Sequence, residues 1–277
     1  MNVALTGADG MLGHAVRRTF SDLNLIPFSH AELDVTSLDD AVTKLRDARP
    51  DYLIHAAAFT NVDACETEPE AAYLVNGIGT RNVTIACEET RCPIIHISSD
   101  YVFDGMKTSP YDEWDTPRPV SKYGISKLMA EEFVSSLTNR FYIVRTSWLY
   151  GSNGKNFVDT IIRLLAEQDT LRVVNDQFGS PTLTDDLARL LRELIGHGYG
   201  IYHATNSGVC TWYEFAVGIM EKRGISKKIL PVTSEEFNRP ARRPANSALN
   251  DTMLRLEGIP PLRHWEDALD EYLSRNS

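Results

Sequence analysis

The chain has 277 residues, of which 28 are Lys or Arg and 38 are Asp or Glu, so its net charge is −10. A composition of 43% hydrophobic and 24% charged residues is that of a globular protein, and the negative charge disfavours nucleic acid or an anionic membrane as a partner. The four cysteines have neither zinc-site spacing nor the density of a disulfide scaffold, so we expect a reducing, cytoplasmic location. The N-terminal residues lack the features of a secretory signal, and no segment approaches the ~18 apolar residues of a membrane span.

Short apolar runs alternate with helical patterns through the first half of the chain. The predicted strands are Val3–Leu5, Leu25–Phe28, Tyr52–His55, Ile94–Ile97 and Phe141–Val144. The predicted helices lie near Leu12–Phe20, Leu38–Arg46, Ala71–Cys87, Lys122–Ser135, Phe157–Glu167, Asp185–Ile195 and Trp212–Lys222. Because buried strands that alternate with helices form parallel sheets covered on both faces, the pattern predicts an α/β fold with a doubly wound, Rossmann-type sheet. The proline-rich segment Asp104–Val120 is predicted to be a long loop.

A glycine-rich turn, Gly7–Gly13, follows the first strand at once and leads into the first helix. Backbone N–H groups and the positive end of the helix dipole would meet there, which suits the pyrophosphate of a dinucleotide. The spacing is G-x-x-G-x-x-G, one residue away from the G-x-G-x-x-G fingerprint of dehydrogenases. The alternative is a tight strand–helix turn that binds nothing.

The residues expected around the rest of a dinucleotide leave alternatives open. A carboxylate that binds an NAD ribose would end the second strand, but Ser29 and His30 stand there, with Glu32 slightly beyond, so NADPH and NADH are both possible cofactors. Asp34 is a candidate for contact with adenine or, equally, for the cap of the next helix. The small residues of His55–Ala58 would let a nicotinamide ribose approach the backbone, or would only pack.

The second half of the chain is less regular. It has a strand-like run at Leu171–Val174, a turn at Gly179–Pro181 and another strand near Ile201–Ala204. We therefore expect residues 1–150 to form an NAD(P)-binding domain and residues 151–277 to form a smaller C-terminal substrate-binding lobe, with segments around 171–205 returning to the sheet. The boundary near residue 150 is soft.

Tyr123 and Lys127 are candidate catalytic residues because residues four apart lie on the same face of a helix. A nearby ammonium would lower the pKa of the phenol from about 10, and the phenol would donate a proton to a carbonyl oxygen as hydride reaches the carbon. Ser99 ends the fourth strand, where sites in such sheets form, and would hydrogen-bond the same oxygen. Taken alone, the pair would be an exposed helical pair and Ser99 a turn hydroxyl.

Four blocks in order carry a resemblance to a known family: Ala57–Glu66, Ser99–Gly105, Arg145–Gly151 and Asp176–Thr182. With the glycine turn and the Tyr–Lys pair, they resemble the extended short-chain dehydrogenase/reductases, and within them the dTDP-4-dehydrorhamnose reductase branch. The resemblance implies reduction of the C4 ketone of dTDP-4-dehydro-L-rhamnose by NADPH or NADH. It covers nearly the whole chain.

The resemblance also implies residue roles. Tyr123 would be the proton donor, Lys127 its partner and Ser99 the helper, although the family usually has threonine at this last position. The expected cofactor contacts are Gly7, Gly10, Met11, Leu12, Gly13, Asp34, Val35, Ala57, Ala58, Phe59, Thr60, Ile97, Tyr123 and Lys127. The expected substrate contacts are Ser99, Asp100, Tyr123, Trp148 and Arg239. Some relatives are described with a divalent metal between subunits. No clear acidic cluster with ligand spacing stands out here, so a role for Mg²⁺ stays open.

Two positions separate this chain from related sugar-nucleotide enzymes. Dehydratases of the same family need an Asp-Glu pair after the strand-four hydroxyl, whereas Asp100 is followed here by Tyr101. Many epimerases and dehydratases have asparagine in the Arg-x-x-Asn-x-Tyr-Gly block, where this chain has Trp148. Trp148 would be a flat wall for a sugar or base, or a core residue. The basic group of Arg239, Arg242 and Arg243 would bind a diphosphate, or would be a solvated loop.

Two alternatives for the function stay open. One is a reductase of another nucleotide-linked keto sugar, which sequence does not separate from the first substrate. Another is a non-catalytic, nucleotide-binding regulatory subunit of the same fold, and the presence of Ser99, Tyr123 and Lys127 argues against it. The chain would be a monomer or a homodimer.

Overall fold

The computed structural model describes residues 1–275. Its strands are β1 (Asn2–Thr6), β2 (Asn24–Phe28), β3 (Tyr52–His55), β4 (Ile94–Ser99), β5 (Phe141–Thr146), β6 (Leu149–Tyr150), β7 (Thr170–Val174), β8 (Phe178–Gly179), β9 (Thr182–Leu183), β10 (Gly200–His203), β11 (Cys210–Thr211) and β12 (Lys228–Val232). Its helices are α1 (Met11–Thr19), α2 (Leu38–Ala48), α3 (Val62–Thr67), α4 (Pro69–Ala72), α5 (Thr80–Thr90), α6 (Lys122–Leu137), α7 (Phe157–Glu167), α8 (Thr184–Leu194), α9 (Trp212–Lys222), α10 (Ser234–Phe237), α11 (Thr252–Leu256) and α12 (Trp265–Arg275).

A six-stranded parallel sheet in the order β10-β5-β4-β3-β1-β2 forms the centre of the molecule. Successive side chains of a strand point to opposite faces. Val3 and Leu5 accordingly pack with α1 and α8, while Ala4 packs with α2 and α5 on the other face. Both faces are covered, so the predicted α/β fold with a doubly wound sheet is confirmed.

Successive strands are added to the sheet on opposite sides of β1. β2 lies on one side of β1, and β3 lies on the other. Ligands of open parallel sheets bind at such a switch point, outside the carboxyl ends of the strands. The turn after β1, the segment after β3 and the last residues of β4 therefore meet at one edge. The site should lie there.

The later part of the chain builds a second core from α7, α9 and α12. The predicted strand at Leu171–Val174 is β7, but it pairs with β12 rather than with the main sheet. The predicted strand near Ile201–Ala204 is β10, which does extend the main sheet by pairing with β5. Of the segments around 171–205, β10 and α8 thus lie on the sheet, and the division near residue 150 stays a prediction.

The single helix predicted for Ala71–Cys87 is wrong in detail. The chain forms α4, then a wider π-helical turn at Tyr73–Gly79, and then α5. Gly77 lies so close to α6 that a Cβ atom there would be 2.6 Å from the Met129 sulfur. The wider turn brings Asn76 into the interior, where its side chain contacts Phe59 and Ser126.

Candidate active site

A cavity of about 620 Å³ lies at the carboxyl edge of the sheet, as the topology requires. Every expected cofactor contact except Phe59 lines it, as do Ser99, Asp100 and Trp148 among the expected substrate contacts. Phe59 is not brought into the lining, and its backbone N–H and carbonyl are bound by the Asn76 amide, at 2.7 and 3.0 Å. Arg239 lies in a different cavity.

The glycine turn at one end of the cavity has room only for glycine. Gly7 has φ +71°, and a Cβ atom there would be 2.7 Å from the backbone of Ala56 and Ala57. A Cβ atom on Gly13 would be 2.3 Å from the carbonyl oxygen of Gly7. No side chain within residues 1–275 caps α1 at Gly10, and the first turn of α1 contains no acidic residue. An uncapped helix N-terminus is a site for an anion, so this end of the cavity fits a pyrophosphate.

Next to this turn, Ser29 and His30 line the cavity, while the Glu32 carboxylate accepts hydrogen bonds from the Ser29 N–H (2.8 Å) and hydroxyl (2.7 Å). Asp34 also lines the cavity. It does not cap the next helix, because the Ser37 side chain is the N-cap of α2. Hydrogen bonds from the Thr36 side chain and N–H lower the pKa of Asp34, so the Asp34 carboxylate at the cavity wall is charged.

The candidate catalytic side chains come together at the other end of the cavity. Helix α6 begins with a Ser121 cap, and Gly124 lets its first turn approach Tyr101, since a Cβ atom there would be 2.2 Å from the Tyr101 carbonyl oxygen. The Lys127 ammonium donates to the carbonyl of Ile97 at 2.6 Å and is buried. The Ser99 hydroxyl donates to the Asp100 carboxylate at 2.8 Å and lies near the Tyr123 phenol. Helix α6 and the end of β4 thus place the Ser–Tyr–Lys set as the sequence indicated.

Burial controls the ionisation of these groups. It raises the pKa of Tyr123 above its usual value, and the nearby Ser99 hydroxyl only opposes this effect. The expected lowering of this pKa by Lys127 is therefore wrong for the protein by itself, because desolvation of the phenolate dominates. Burial lowers the pKa of Lys127 to about 8 against the effect of Glu131, and raises the pKa of Asp100 to about 7. At neutral pH, Tyr123 is protonated, which is the form that a proton donor needs.

Trp148 forms part of the wall in an unusual conformation. Its φ is +48°, and its indole stacks on that of Trp212, with 3.6 Å between ring centroids and 9° between planes. A Cβ atom on Gly179 would be 2.6 Å from the Trp148 ring. Sequence patterns gave Trp212 only as the start of a helix, because its neighbour in the wall lies 64 residues earlier in the chain.

The basic segment lies in a second cavity, of about 630 Å³. Its charged lining consists of Arg172, Arg239, Arg242, Arg243, Asp63, Asp176 and Glu235. Asp63 contacts Arg243 at 3.1 Å and Arg239 at 3.6 Å. Trp212 lines both cavities, so the second one lies beside the first. Sequence patterns did not connect Arg172 or Asp63 with this cavity, because both lie far along the chain from residues 239–243.

Residues 1–275 lack the arrangements of a metal centre or a membrane-spanning helix. No group of three or more His, Cys, Asp or Glu side chains there is arranged to hold a metal ion. In the same range, no helix is long and apolar enough to span a membrane. The four cysteines are free and buried.

A glycine turn at the switch point of a doubly wound sheet, with Ser, Tyr and Lys at the far end of one cavity, defines a short-chain dehydrogenase/reductase. The model of the RmlD substrate binding domain family matches residues 1–277. The chain belongs to this family, that of the dTDP-4-dehydrorhamnose reductases.

Individual relatives resemble the chain over its length. The spore coat polysaccharide biosynthesis protein SpsK of Bacillus subtilis is 42% identical, over 99% of this chain and 98% of its own. A dTDP-4-dehydrorhamnose reductase of Bacillus anthracis, solved in complex with NADP, has a TM-score of 0.97 and 41% identity, over 99% of each chain. A dTDP-4-keto-6-deoxy-D-glucose reductase of Streptomyces niveus is 35% identical, over 96% of this chain and 94% of its own.

Proposed function

We propose that the protein reduces the C4 ketone of dTDP-4-dehydro-L-rhamnose to give dTDP-L-rhamnose, with NADPH or NADH as the reductant. The observation that carries this proposal is the single cavity that joins the glycine turn to Ser99, Tyr123 and Lys127. Family membership supports the same reaction.

The described residues fit a dinucleotide along the length of this cavity. The N–H groups of Gly10, Met11 and Leu12 would hold the pyrophosphate, next to Gly7 and Gly13. Asp34 and Val35 would contact the adenine, and the segment Ala57–Thr60, with Ile97 and Lys127, the nicotinamide side. The bound cofactor would supply the hydride. Both reduced cofactors remain candidates because Glu32 is bound to Ser29 at the end of β2.

The side chains of the protein would handle the proton. Tyr123 is protonated at neutral pH and would donate to the C4 oxygen, while Ser99 would orient the phenol. Lys127, buried within the same cavity wall, would favour the negative charge that develops on that oxygen as its ammonium remains protonated below about pH 8. Asp100 and Trp148 would contact the sugar.

The nucleotide diphosphate of the substrate would occupy the second cavity. Four arginines face three carboxylates there, so the lining has an excess of positive charge although the whole chain has −10. Guanidinium groups suit a diphosphate because they donate two parallel hydrogen bonds. Arg239, exposed at the rim, and Arg242 are the residues that we assign to this contact.

A second candidate substrate is dTDP-4-keto-6-deoxy-D-glucose, because a reductase of that name is 35% identical to this chain. The two substrates present a C4 ketone on the same kind of nucleotide sugar, and the same side chains would serve both. A non-catalytic regulatory role would leave the Ser99–Tyr123–Lys127 arrangement without a purpose. The cytoplasmic location, and a monomeric or homodimeric state, stay predictions.

Purified protein supplied with each keto sugar and with NADPH or NADH tests the proposal by the loss of reduced cofactor. We expect turnover, and a fall in kcat of at least about a hundredfold in Tyr123→Phe. Tyr199→Phe is the matched control, because this exposed tyrosine packs on Tyr142, outside both cavities. Normal turnover by Tyr123→Phe would exclude the assigned proton donor. A wild-type protein that turns over neither sugar would exclude the function.

A further inference from the structure

Tyr101 contacts two of the three candidate catalytic side chains, those of Ser99 and Tyr123. Its backbone N–H donates to the Ser99 hydroxyl at 3.1 Å. Its ring packs edge to face on that of Tyr123, with 5.6 Å between centroids and 77° between planes. The close approach at Gly124 presses the first turn of α6 onto the Tyr101 backbone. The Tyr123 ring thus packs against a side chain that has no role of its own in proton transfer.

The hydroxyl of Tyr101 lies near the Arg243 guanidinium of the second cavity. Burial raises the pKa of this hydroxyl, and the charge of the neighbouring Arg243 opposes the rise. Arg243 donates to the carbonyl of Ala241 at 3.0 Å and to the Asp63 carboxylate at 3.1 Å, and it is mostly buried. Tyr101 lines the first cavity and Arg243 the second, so this pair crosses the wall between them.

We propose that Tyr101 is a positioning residue for Tyr123 and Ser99, and that Arg243 couples it to the basic cavity. The inference rests on the proposed function, since it assigns the second cavity to the nucleotide diphosphate. An anion that binds there attracts Arg243 and competes with Asp63 for it. Binding energy from the non-reacting end of the substrate would thereby be used to orient the proton donor.

Two substitutions separate the ring of Tyr101 from its hydroxyl. Tyr101→Leu removes the ring packed on Tyr123, and we expect kcat to fall about a hundredfold, as for a reacting group displaced by about 1 Å. Tyr101→Phe keeps the ring and removes only the hydroxyl near Arg243, so kcat should fall about tenfold, with KM changed by less than about twofold. The kcat of Tyr101→Phe should thus exceed that of Tyr101→Leu, a difference that general destabilisation would not give.

Arg243→Ala tests the link. If Arg243 acts on kcat through Tyr101, the double variant Tyr101→Phe/Arg243→Ala should have the kcat of Arg243→Ala alone. If the kcat losses of the two single variants instead multiply in the double variant, the coupling is overturned. Tyr272→Phe is the matched control, since this buried tyrosine bonds to Asp159 in the second core, and we expect lower stability with unchanged kcat.

Crystal structures of Tyr101→Leu and Tyr101→Phe provide a test without turnover. We expect the Tyr123 ring to leave Ser99 in the Leu variant and to keep its place in the Phe variant. An unmoved Tyr123 in Tyr101→Leu would overturn the positioning role whether or not the enzyme is active. A wild-type protein that turns over neither keto sugar would instead contradict the proposed function, so the two failures are distinct.

Discussion

We expect the buried charge of Lys127 to lower the free energy of unfolding, although the proposed activity requires this residue. Its side chain is 3% exposed, and burial lowers the pKa of its ammonium from about 10.5 to about 8. The difference corresponds to about 3 kcal/mol of folding free energy lost while the group stays protonated. Lys127→Met removes the charge but also the hydrogen bond to the Ile97 carbonyl, worth about 1 kcal/mol. We therefore expect this variant to be about 2 kcal/mol more stable at pH 7, and inactive.

The pH dependence identifies the cause. Between about pH 8 and 10.5, the folded wild type has released the Lys127 proton while the unfolded chain still holds it, so wild-type stability rises with pH in this window. The advantage of Lys127→Met should thus shrink, and mostly vanish, by about pH 10. Guanidinium unfolding at pH 7 and 10 measures the difference in unfolding free energy between the variant and the wild type. Lys155→Met, at an exposed lysine, is the control. A less stable Lys127→Met at pH 7, or an advantage independent of pH, would refute the reasoning.

Two further predictions concern the supports of the site. Gly179→Ala should displace the Trp148 indole, since the new Cβ atom would lie 2.6 Å from it, and we expect a higher KM for the sugar nucleotide and altered tryptophan fluorescence; unchanged values would separate Trp148 from the substrate. Arg145→Met should lower the free energy of unfolding by about 3–5 kcal/mol, because it leaves the buried Glu131 carboxylate without its cation. The double variant Glu131→Leu/Arg145→Met should recover most of that loss in guanidinium unfolding, and an equal loss in both would contradict the explanation.

The sheet could be predicted from the sequence because its strands are buried on both faces. Val3, Ala4 and Leu5 of β1 are fully buried, and such a strand reads as a continuous apolar run between turns. The short strands β6, β8, β9 and β11 have two residues each and give no such pattern. The π-helical turn at Tyr73–Gly79 also escaped, since it depends on the contact of Gly77 with Met129 in a distant helix.

Some residues of the site could also be predicted from local sequence, and others could not. The predictable ones belong to two local patterns, the turn Gly7–Gly13 and the helical pair Tyr123 and Lys127. Trp212, Asp63 and Arg172 matter because tertiary structure places them beside Trp148 and the basic segment. The rise in the pKa of Tyr123 could not be predicted either, because a spacing of four residues shows a neighbouring cation but not the depth of burial.

Buried ionisable groups and a strained backbone, all energetically unfavourable, gather around one cavity. Lys127 is a buried ammonium with a lowered pKa, Asp100 is a buried carboxyl with a raised one, and Trp148 has a left-handed backbone. Each destabilises the fold, and strained or desolvated groups persist where surrounding structure holds them for a purpose. A cavity that served only packing would have been filled by apolar side chains. The contacts that hold these groups, from Glu131, Ser99 and Trp212, are therefore as much a part of the site as the groups themselves.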